Sequence, residues 1–130
     1  MLNLETWAAV AAARMVVSGD AENLITKALL VLAEQGVFAF GLFLATRPPK
    51  RLHEIRVRND IDTAIRQLLE KANLQPDQAA DLDIPAYYKA LTQARAGEEQ
   101  VPLHTLQRLL LTKQVMELAL TYGRYHARAA

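Results

Sequence analysis

Few residues of this chain have the types and spacing that catalysis needs. The histidines His53, His104 and His126 lie far apart, and none has a second ligand at metal-binding spacing. Ser18 is the only serine, and no nucleophile-elbow motif surrounds it. Two carboxylate pairs fit helix starts and solvated connections better than acid–base catalysis: Asp60 with Asp62, and Asp81 with Asp83. We therefore expect no catalytic residues, no metal site and no cofactor.

The strongest remaining signal is electrostatic and lies in a basic segment, residues 47–58. This segment has a net charge of +4, and the rest of the chain has a net charge of −3. Arginine can bind a phosphate through two parallel hydrogen bonds, and the prolines of this segment reduce the entropy lost on binding. The segment therefore predicts contacts with the phosphates of an anionic partner, although a loop that only aids solubility is the alternative. The predicted contact residues are Arg47, Lys50, Arg51, Arg56 and Arg58.

Three further basic residues lie near the C-terminus and could join this surface or form another: Lys113, Arg124 and Arg128. No aromatic residues interleave with the basic segment, which argues against base stacking. Any nucleic-acid binding should therefore be directed at the backbone and depend weakly on sequence.

Composition and length restrict the class of protein. The chain has 130 residues, of which 52% are hydrophobic and 22% are charged, so one globular domain over residues 1–130 is expected. It has no cysteine, which excludes disulfides and thiolate chemistry and is typical of a reducing cytoplasm. The N-terminus lacks the pattern of a secretory signal. We expect a cytoplasmic protein whose mature chain begins at Met1.

Periodicity and helix-boundary residues predict an all-α, single-domain bundle of about five helices, and no stretch alternates as a strand would. The last helix is predicted to be amphipathic, with a polar stripe opposite its packing side, on which Leu106, Leu110, Met116 and Leu120 fall. The predicted helices are, in order: residues 4–17, residues 20–46 capped by Asp20, residues 59–73 capped by Asn59, a short helix with Pro85 in its first turn that stops near Gly97, and a long helix opened by Pro102.

Residues 28–45 form an apolar run that approaches the length of a membrane span. Glu34 and Gln35 near its middle argue against a span, because a central acidic residue costs about 2.5 to 3.5 kcal/mol on insertion scales. We therefore expect a buried core helix. Its glycines, Gly36 and Gly41, predict the close approach of another helix or, at Gly36, a kink that splits the run in two. Its large core side chains are predicted to be Phe38, Phe40 and Phe43.

The same region carries a resemblance to a known family. The stretch Gln35-Gly36-Val37, followed by Leu42-Phe43-Leu44 and Thr46-Arg47, resembles the small all-helical fifth subunit of the Cmr (type III-B CRISPR) effector complex. In that family's pattern, a polar residue, a glycine and an aliphatic residue are followed along the sequence by Phe-Leu and then by a basic residue. The last predicted helix, up to Arg124-Tyr125, is similar to the family's terminal helix, which ends in a basic residue followed by an aromatic one.

The resemblance implies a non-catalytic subunit of an RNA-guided complex in antiviral defence. Such a subunit packs in several copies beside the repeated backbone subunits and helps to line the groove that holds guide RNA and target RNA, while other subunits perform cleavage. The implied partners are thus other Cmr subunits, further copies of this chain and both RNAs, with no membrane and no small-molecule substrate. Among the basic residues, only Arg47 and its neighbourhood match a basic position of the family pattern.

Two other classes of function stay open from the sequence. One is a homodimeric helical regulator that binds DNA or protein, although no helix-turn-helix signature is clear. The other is a small enzyme. Salt dependence separates an RNA binder from a protein adaptor. If all five basic residues of the 47–58 segment neutralised phosphates of single-stranded RNA, log affinity would fall against log salt with a slope of about −3.5.

Overall fold

The computed structural model describes residues 3–15, 21–46 and 52–129. These residues form six α-helices and a short 3-10 turn at Ala79–Asp81, and none of them lies in a strand. The predicted all-α class is therefore confirmed, with one helix more than the five expected. The helices are α1 (Leu4–Met15), α2 (Ala21–Gln35), α3 (Val37–Ala45), α4 (Leu52–Lys71), α5 (Ile84–Leu91) and α6 (Pro102–Ala129).

The additional helix arises because the apolar run breaks at Gly36. Gly36 has a φ of +97°, a backbone conformation that residues other than glycine rarely adopt. It lies between the last residue of α2 and the first residue of α3, where it is the N-cap. Gly41, in the middle of α3, lies where another helix approaches closely, which is the other expectation for these glycines. A Cβ placed on Gly41 would lie 2.5 Å from the Cβ of Tyr88, so α3 and α5 approach each other closely. Both glycines thus have the structural reasons that the sequence predicted.

The core lies where α6 packs against α1 and α2, α4 packs against α1, and α5 packs against α3. Phe40 is fully buried and contacts Tyr88 edge-on, with 5.2 Å between ring centroids. Phe38 is exposed and Phe43 is only partly buried. The prediction that all three phenylalanines are core residues was wrong for Phe38, because the short helix α3 faces the core with one side only.

Helix α4 begins seven residues before the predicted cap. Asn59 is an exposed residue inside the helix, so its prediction as an N-cap was wrong. Val57 is buried one turn before Ile61, and tertiary packing of this earlier turn extends the helix towards the N-terminus. Asp62 is buried rather than part of a first turn. Its carboxylate accepts hydrogen bonds from Tyr88 Oη at 2.9 Å and from Arg66 Nε at 3.0 Å.

The proline-based helix starts are confirmed. Pro85 lies in the first turn of α5, and the preceding Asp83 caps this helix by accepting a hydrogen bond from the backbone N–H of Ala86 at 2.9 Å. Pro102 is the first residue of α6. Helix α5 ends at Leu91, six residues before the glycine expected to stop it. Within the described ranges, no helix combines the length and hydropathy of a membrane span. The predicted cap Asp20 lies outside the described residues.

The packing side of α6 differs from the prediction in its N-terminal half. Met116 and Leu120 are buried, but Leu106 and Leu110 are about half exposed. The cause is the relative position of α2, which runs antiparallel to α6. Arg128 contacts Glu22 near the start of α2, and Lys113 contacts Ala33 near its end. The part of α6 before residue 113 therefore extends beyond the end of α2.

Candidate interaction surfaces

The eight predicted RNA-contacting residues fall into three groups. Arg47, Lys50 and Arg51 lie outside the described residues, so their contacts stay predictions. Arg56 is exposed on α4, where it is accessible to a ligand. The third group comprises Arg58, Lys113 and Arg128, whose side chains bind other residues of this chain. Arg124, which is partly buried, is placed with this group.

Arg58 is an internal residue and does not belong to an RNA-facing surface. Only 6% of it is exposed, and its guanidinium donates a hydrogen bond to the Phe43 carbonyl oxygen. The same group lies 4.5 Å from the centroid of the Phe43 ring and 3.3 Å from a carboxylate oxygen of Glu54. Arg58 therefore ties the end of α3 to the first turns of α4. The sequence contains a signal for this burial, because Arg58 precedes Ile61 by three residues and Ile65 by seven, which places it on the apolar side of the helix.

Two basic residues of α6, Lys113 and Arg128, contact α2. Lys113 Nζ is 3.3 Å from the Ala33 carbonyl oxygen, and Arg128 Nε is 3.0 Å from a carboxylate oxygen of Glu22. The Arg128 side chain is still 54% exposed, so it can contact a ligand and keep this ion pair. The Nε of Arg124 is buried and has no hydrogen-bond partner among the described residues.

These cations do not form one compact patch. Lys113 and Arg128 are separated along α6 by about 22 Å, from a rise of 1.5 Å per residue. Arg56 lies on α4, which packs mainly against α1 and contacts α6 little. The structure therefore offers a row of basic residues on α6 and a separate basic position on α4.

A second internal arginine, Arg108, was not identified from the sequence. It is 6% exposed. Its side chain binds three groups of the connection between α5 and α6 and so links this connection to α6. Its guanidinium donates to the Glu98 carboxylate at 2.9 Å and to the carbonyl oxygens of Leu91 at 3.2 Å and Gln93 at 2.7 Å. The available signal was helical spacing, since Arg108 precedes the apolar residues Leu111 and Val115 by three and seven residues.

Glu98 is the centre of this ionic cluster. Besides Arg108, it binds Arg95, whose Nε lies 3.3 Å from the carboxylate, and it accepts a hydrogen bond from Thr105. The hydrogen bond from Arg108 is the main reason that the pKa of Glu98 falls to about 2. Glu98 thus stays ionised down to strongly acidic pH, and the cluster fixes the orientation of the first turns of α6.

The N-terminal half of α6, which the Glu98 cluster holds in place, exposes a line of leucines to solvent. Leu103, Leu106 and Leu110 are 58%, 51% and 54% exposed, and their spacing of three and four residues places them on one side of the helix. We call these three residues the leucine stripe. A row of large apolar side chains at this spacing is typical of a helix face that binds a protein partner. The sequence interpretation assigned two of them to the core and so missed this surface.

Several buried polar groups form structural contacts. Burial, together with Asp62, raises the pKa of Tyr88, which keeps its hydroxyl protonated as a donor to that carboxylate. The guanidinium of Arg66 lies 4.3 Å from the centroid of the Tyr87 ring and donates to the Leu82 carbonyl oxygen at 2.8 Å. Burial also raises the pKa of Tyr87. Across the described ranges, no group of three or more histidine, aspartate or glutamate side chains is arranged to hold a metal ion.

Comparisons of this chain with protein-family models, with curated proteins and with solved structures found no match. The function is therefore inferred from the surfaces described above and from the sequence resemblance.

Proposed function

We propose that this chain is a non-catalytic small subunit of a type III-B CRISPR (Cmr) RNA-guided effector complex in antiviral defence. It packs on the repeated backbone subunits and on further copies of itself, and it helps to hold guide RNA and target RNA through exposed basic side chains. Its place of action is the cytoplasm. The family resemblance of residues 35–47 suggests this complex, and the leucine stripe is the structural observation that carries the proposal.

The leucine stripe favours a docking role because it is both apolar and rigidly held. Covering the exposed half of each leucine would contribute about 1 kcal/mol, or about 3 kcal/mol for the whole stripe. This is too little for a tight binary complex, since micromolar affinity needs about 8 kcal/mol. It suits a subunit that several neighbours hold together. The Arg108–Glu98 contact on another side of α6 keeps the stripe in place without partners.

The RNA-binding part of the proposal rests on the basic residues that remain accessible. On the described residues these are Arg56 on α4 and Arg128 on α6, with Lys113 and Arg124 partly accessible. We leave Arg58 out because its guanidinium binds the protein interior. If the other four basic residues of the 47–58 segment each neutralise one phosphate, the salt slope becomes about −2.8 instead of −3.5.

The docking role is tested by Leu106→Glu in the tagged full-length chain, expressed with the other effector subunits. Wild-type protein should co-purify with larger subunits and RNA, as native mass spectrometry would show, and Leu106→Glu should lose the protein partners. Val10→Glu is the matched control, because Val10 is 47% exposed on α1, whose Glu5 contacts Tyr122 in the half of α6 that lies away from the stripe. Wild-type protein that purifies without RNA and without larger subunits would contradict the proposal.

The RNA role is tested by Arg56→Glu in RNA-binding titrations at several salt concentrations. Removal of one phosphate contact should make the slope shallower by about 0.7 and weaken binding. Lys89→Glu changes the net charge equally at an exposed position of α5 and should leave the slope unchanged. The same variants need measurement in the assembled complex, because the isolated subunit binds through few contacts. Equal slopes for both variants would remove Arg56 from the RNA surface.

The leucine stripe also favours a second candidate, a homodimeric helical regulator. Two copies could cover each other's stripe around a two-fold axis, which is the commonest symmetry of soluble oligomers. Sedimentation of the isolated chain distinguishes the two functions. A dimer that Leu106→Glu dissociates, with no RNA or larger subunit bound in cells, favours the regulator.

A further inference from the structure

An open groove of about 470 Å³ lies between α1 and the C-terminal turns of α6. It is at the opposite end of α6 from the leucine stripe. The polar side chains of its lining are Glu5, Thr6, Tyr122, Tyr125 and His126. The lining residues include none of the predicted RNA-contacting residues and none of the leucine stripe.

The groove contains a carboxylate with acceptor capacity left. Tyr122 Oη donates a hydrogen bond to Glu5 Oε1 at 2.9 Å. A carboxylate can accept about four hydrogen bonds, and this is the one that the described residues give Glu5. Glu5 raises the pKa of Tyr122, so the phenol keeps its proton and holds the carboxylate in position. A ligand with N–H donors could therefore bind both carboxylate oxygens.

An aromatic ring stands beside this carboxylate. Tyr125 is 60% exposed, lies three residues after Tyr122 on α6 and lines the same groove, so its side chain is accessible to a ligand there. The nearest arginine of α6 on the C-terminal side, Arg128, contacts Glu22 on α2 instead of Glu5. None of the lining residues is a lysine or an arginine, and the Glu5 carboxylate gives the lining a negative charge. This charge complements a cation and repels a phosphate.

We propose that this groove binds an arginine side chain of a protein partner. The guanidinium would donate two parallel hydrogen bonds to Glu5, and its planar face would stack on Tyr125. Lysine fits less well, because its ammonium group is a compact point charge that has neither a planar face to stack nor a rigid fork of parallel donors. The inference does not depend on the proposed function, since it requires neither RNA nor a Cmr complex.

The test is an NMR titration of the full chain with N-acetyl-arginine methylamide, which carries the side chain without terminal charges. We expect millimolar binding that shifts the ring signals of Tyr125 and His126. Glu5→Gln should weaken binding about tenfold or more, because the charge-assisted hydrogen bonds are lost. Tyr125→Ala should weaken it about two- to fivefold, from the magnitude of an exposed cation–π contact. The lysine analogue should bind more weakly than the arginine probe.

Controls keep this result specific. Glu34→Gln removes the same charge at an exposed position of α2 and should leave the affinity unchanged. Thermal melts will establish that each variant folds, and Tyr125→Ala, on an exposed side chain, remains informative if Glu5→Gln does not fold. Equal affinity of wild-type protein and Glu5→Gln, or absence of ring shifts, would overturn the proposal. A mononucleotide that binds the groove more tightly than the arginine probe would overturn it in favour of a nucleic-acid site.

Discussion

Replacement of Gly41 with alanine should destabilise this protein, although alanine is the better helix former. The new Cβ would lie 2.5 Å from Tyr88 Cβ and 2.8 Å from Tyr88 Cγ, whereas carbon atoms in contact prefer about 3.5 to 4.0 Å. Tyr88 has little room to move. It is fully buried, its hydroxyl is bonded to Asp62, and its ring packs on Phe40. Helices α3 and α5 must therefore separate to admit the methyl group.

The expected loss follows from two opposing terms. Overpacking of a core costs about 1 to 3 kcal/mol, and the upper half of this range applies because the clash involves Cβ and ring atoms instead of a flexible chain end. Replacement of a helical glycine by alanine returns about 1 kcal/mol. The free energy of unfolding should fall by about 1 to 2 kcal/mol. Urea denaturation should then show a midpoint lower by about 0.5 to 1 M, for an m-value of about 2 kcal/mol/M.

Gly123→Ala is the matched control for this prediction. The new Cβ would meet Met15 Sδ at 3.1 Å, and the thioether of methionine can move aside. The gain in helix propensity should offset this contact, so stability should stay within about 0.5 kcal/mol of wild type or increase. If Gly41→Ala were as stable as wild type, the close approach of α3 to α5 would be wrong.

Two further predictions concern the core and the ionic cluster. Phe40→Ala should lower the free energy of unfolding by about 3 to 5 kcal/mol in urea denaturation, whereas Phe38→Ala, at an exposed position, should cost less than about 1 kcal/mol. Similar losses for the two variants would refute the finding that Phe40 is a core residue and Phe38 is not. Glu98 has a pKa of about 2, below its ordinary value of 4.5, so its contribution to stability is present above pH 4.5 and is lost as the pH falls towards 2. The stability difference between wild type and Glu98→Gln should therefore be largest near pH 7 and shrink below pH 4.5, and a difference independent of pH would contradict the ion pair with Arg108.

The parts of the fold that the sequence predicted correctly depend on local chemistry. Pro85 and Pro102 mark helix starts because proline suits the first turn, and Gly36 marks the break because its positive φ favours glycine. The errors arose where distant segments decide. Asn59 suits a cap and also an exposed helical position, and only the packing of the preceding turn distinguishes the two cases.

The candidate surfaces were harder to predict for a related reason. Charge alone cannot distinguish Arg56, which is exposed, from Arg58, which binds the Phe43 carbonyl oxygen inside the protein. Likewise, Leu106 and Leu120 fall near the same side of one helix, and the length of the neighbouring α2 decides that the first is exposed and the second buried. Helical periodicity identifies a side of a helix but does not show how far along it the neighbours reach.

The cluster around Glu98 links three helix ends through charged side chains. Arg95 binds the carbonyl oxygens of Asn73 and Gln75, and Arg108 binds those of Leu91 and Gln93, so charged side chains join the end of α4, the end of α5 and the start of α6. The first turns of α6 are thus held by ionic contacts, and its remaining turns by an apolar core. Substitutions in the cluster could therefore alter how the leucine stripe is presented to a partner, with the stripe and the core left intact.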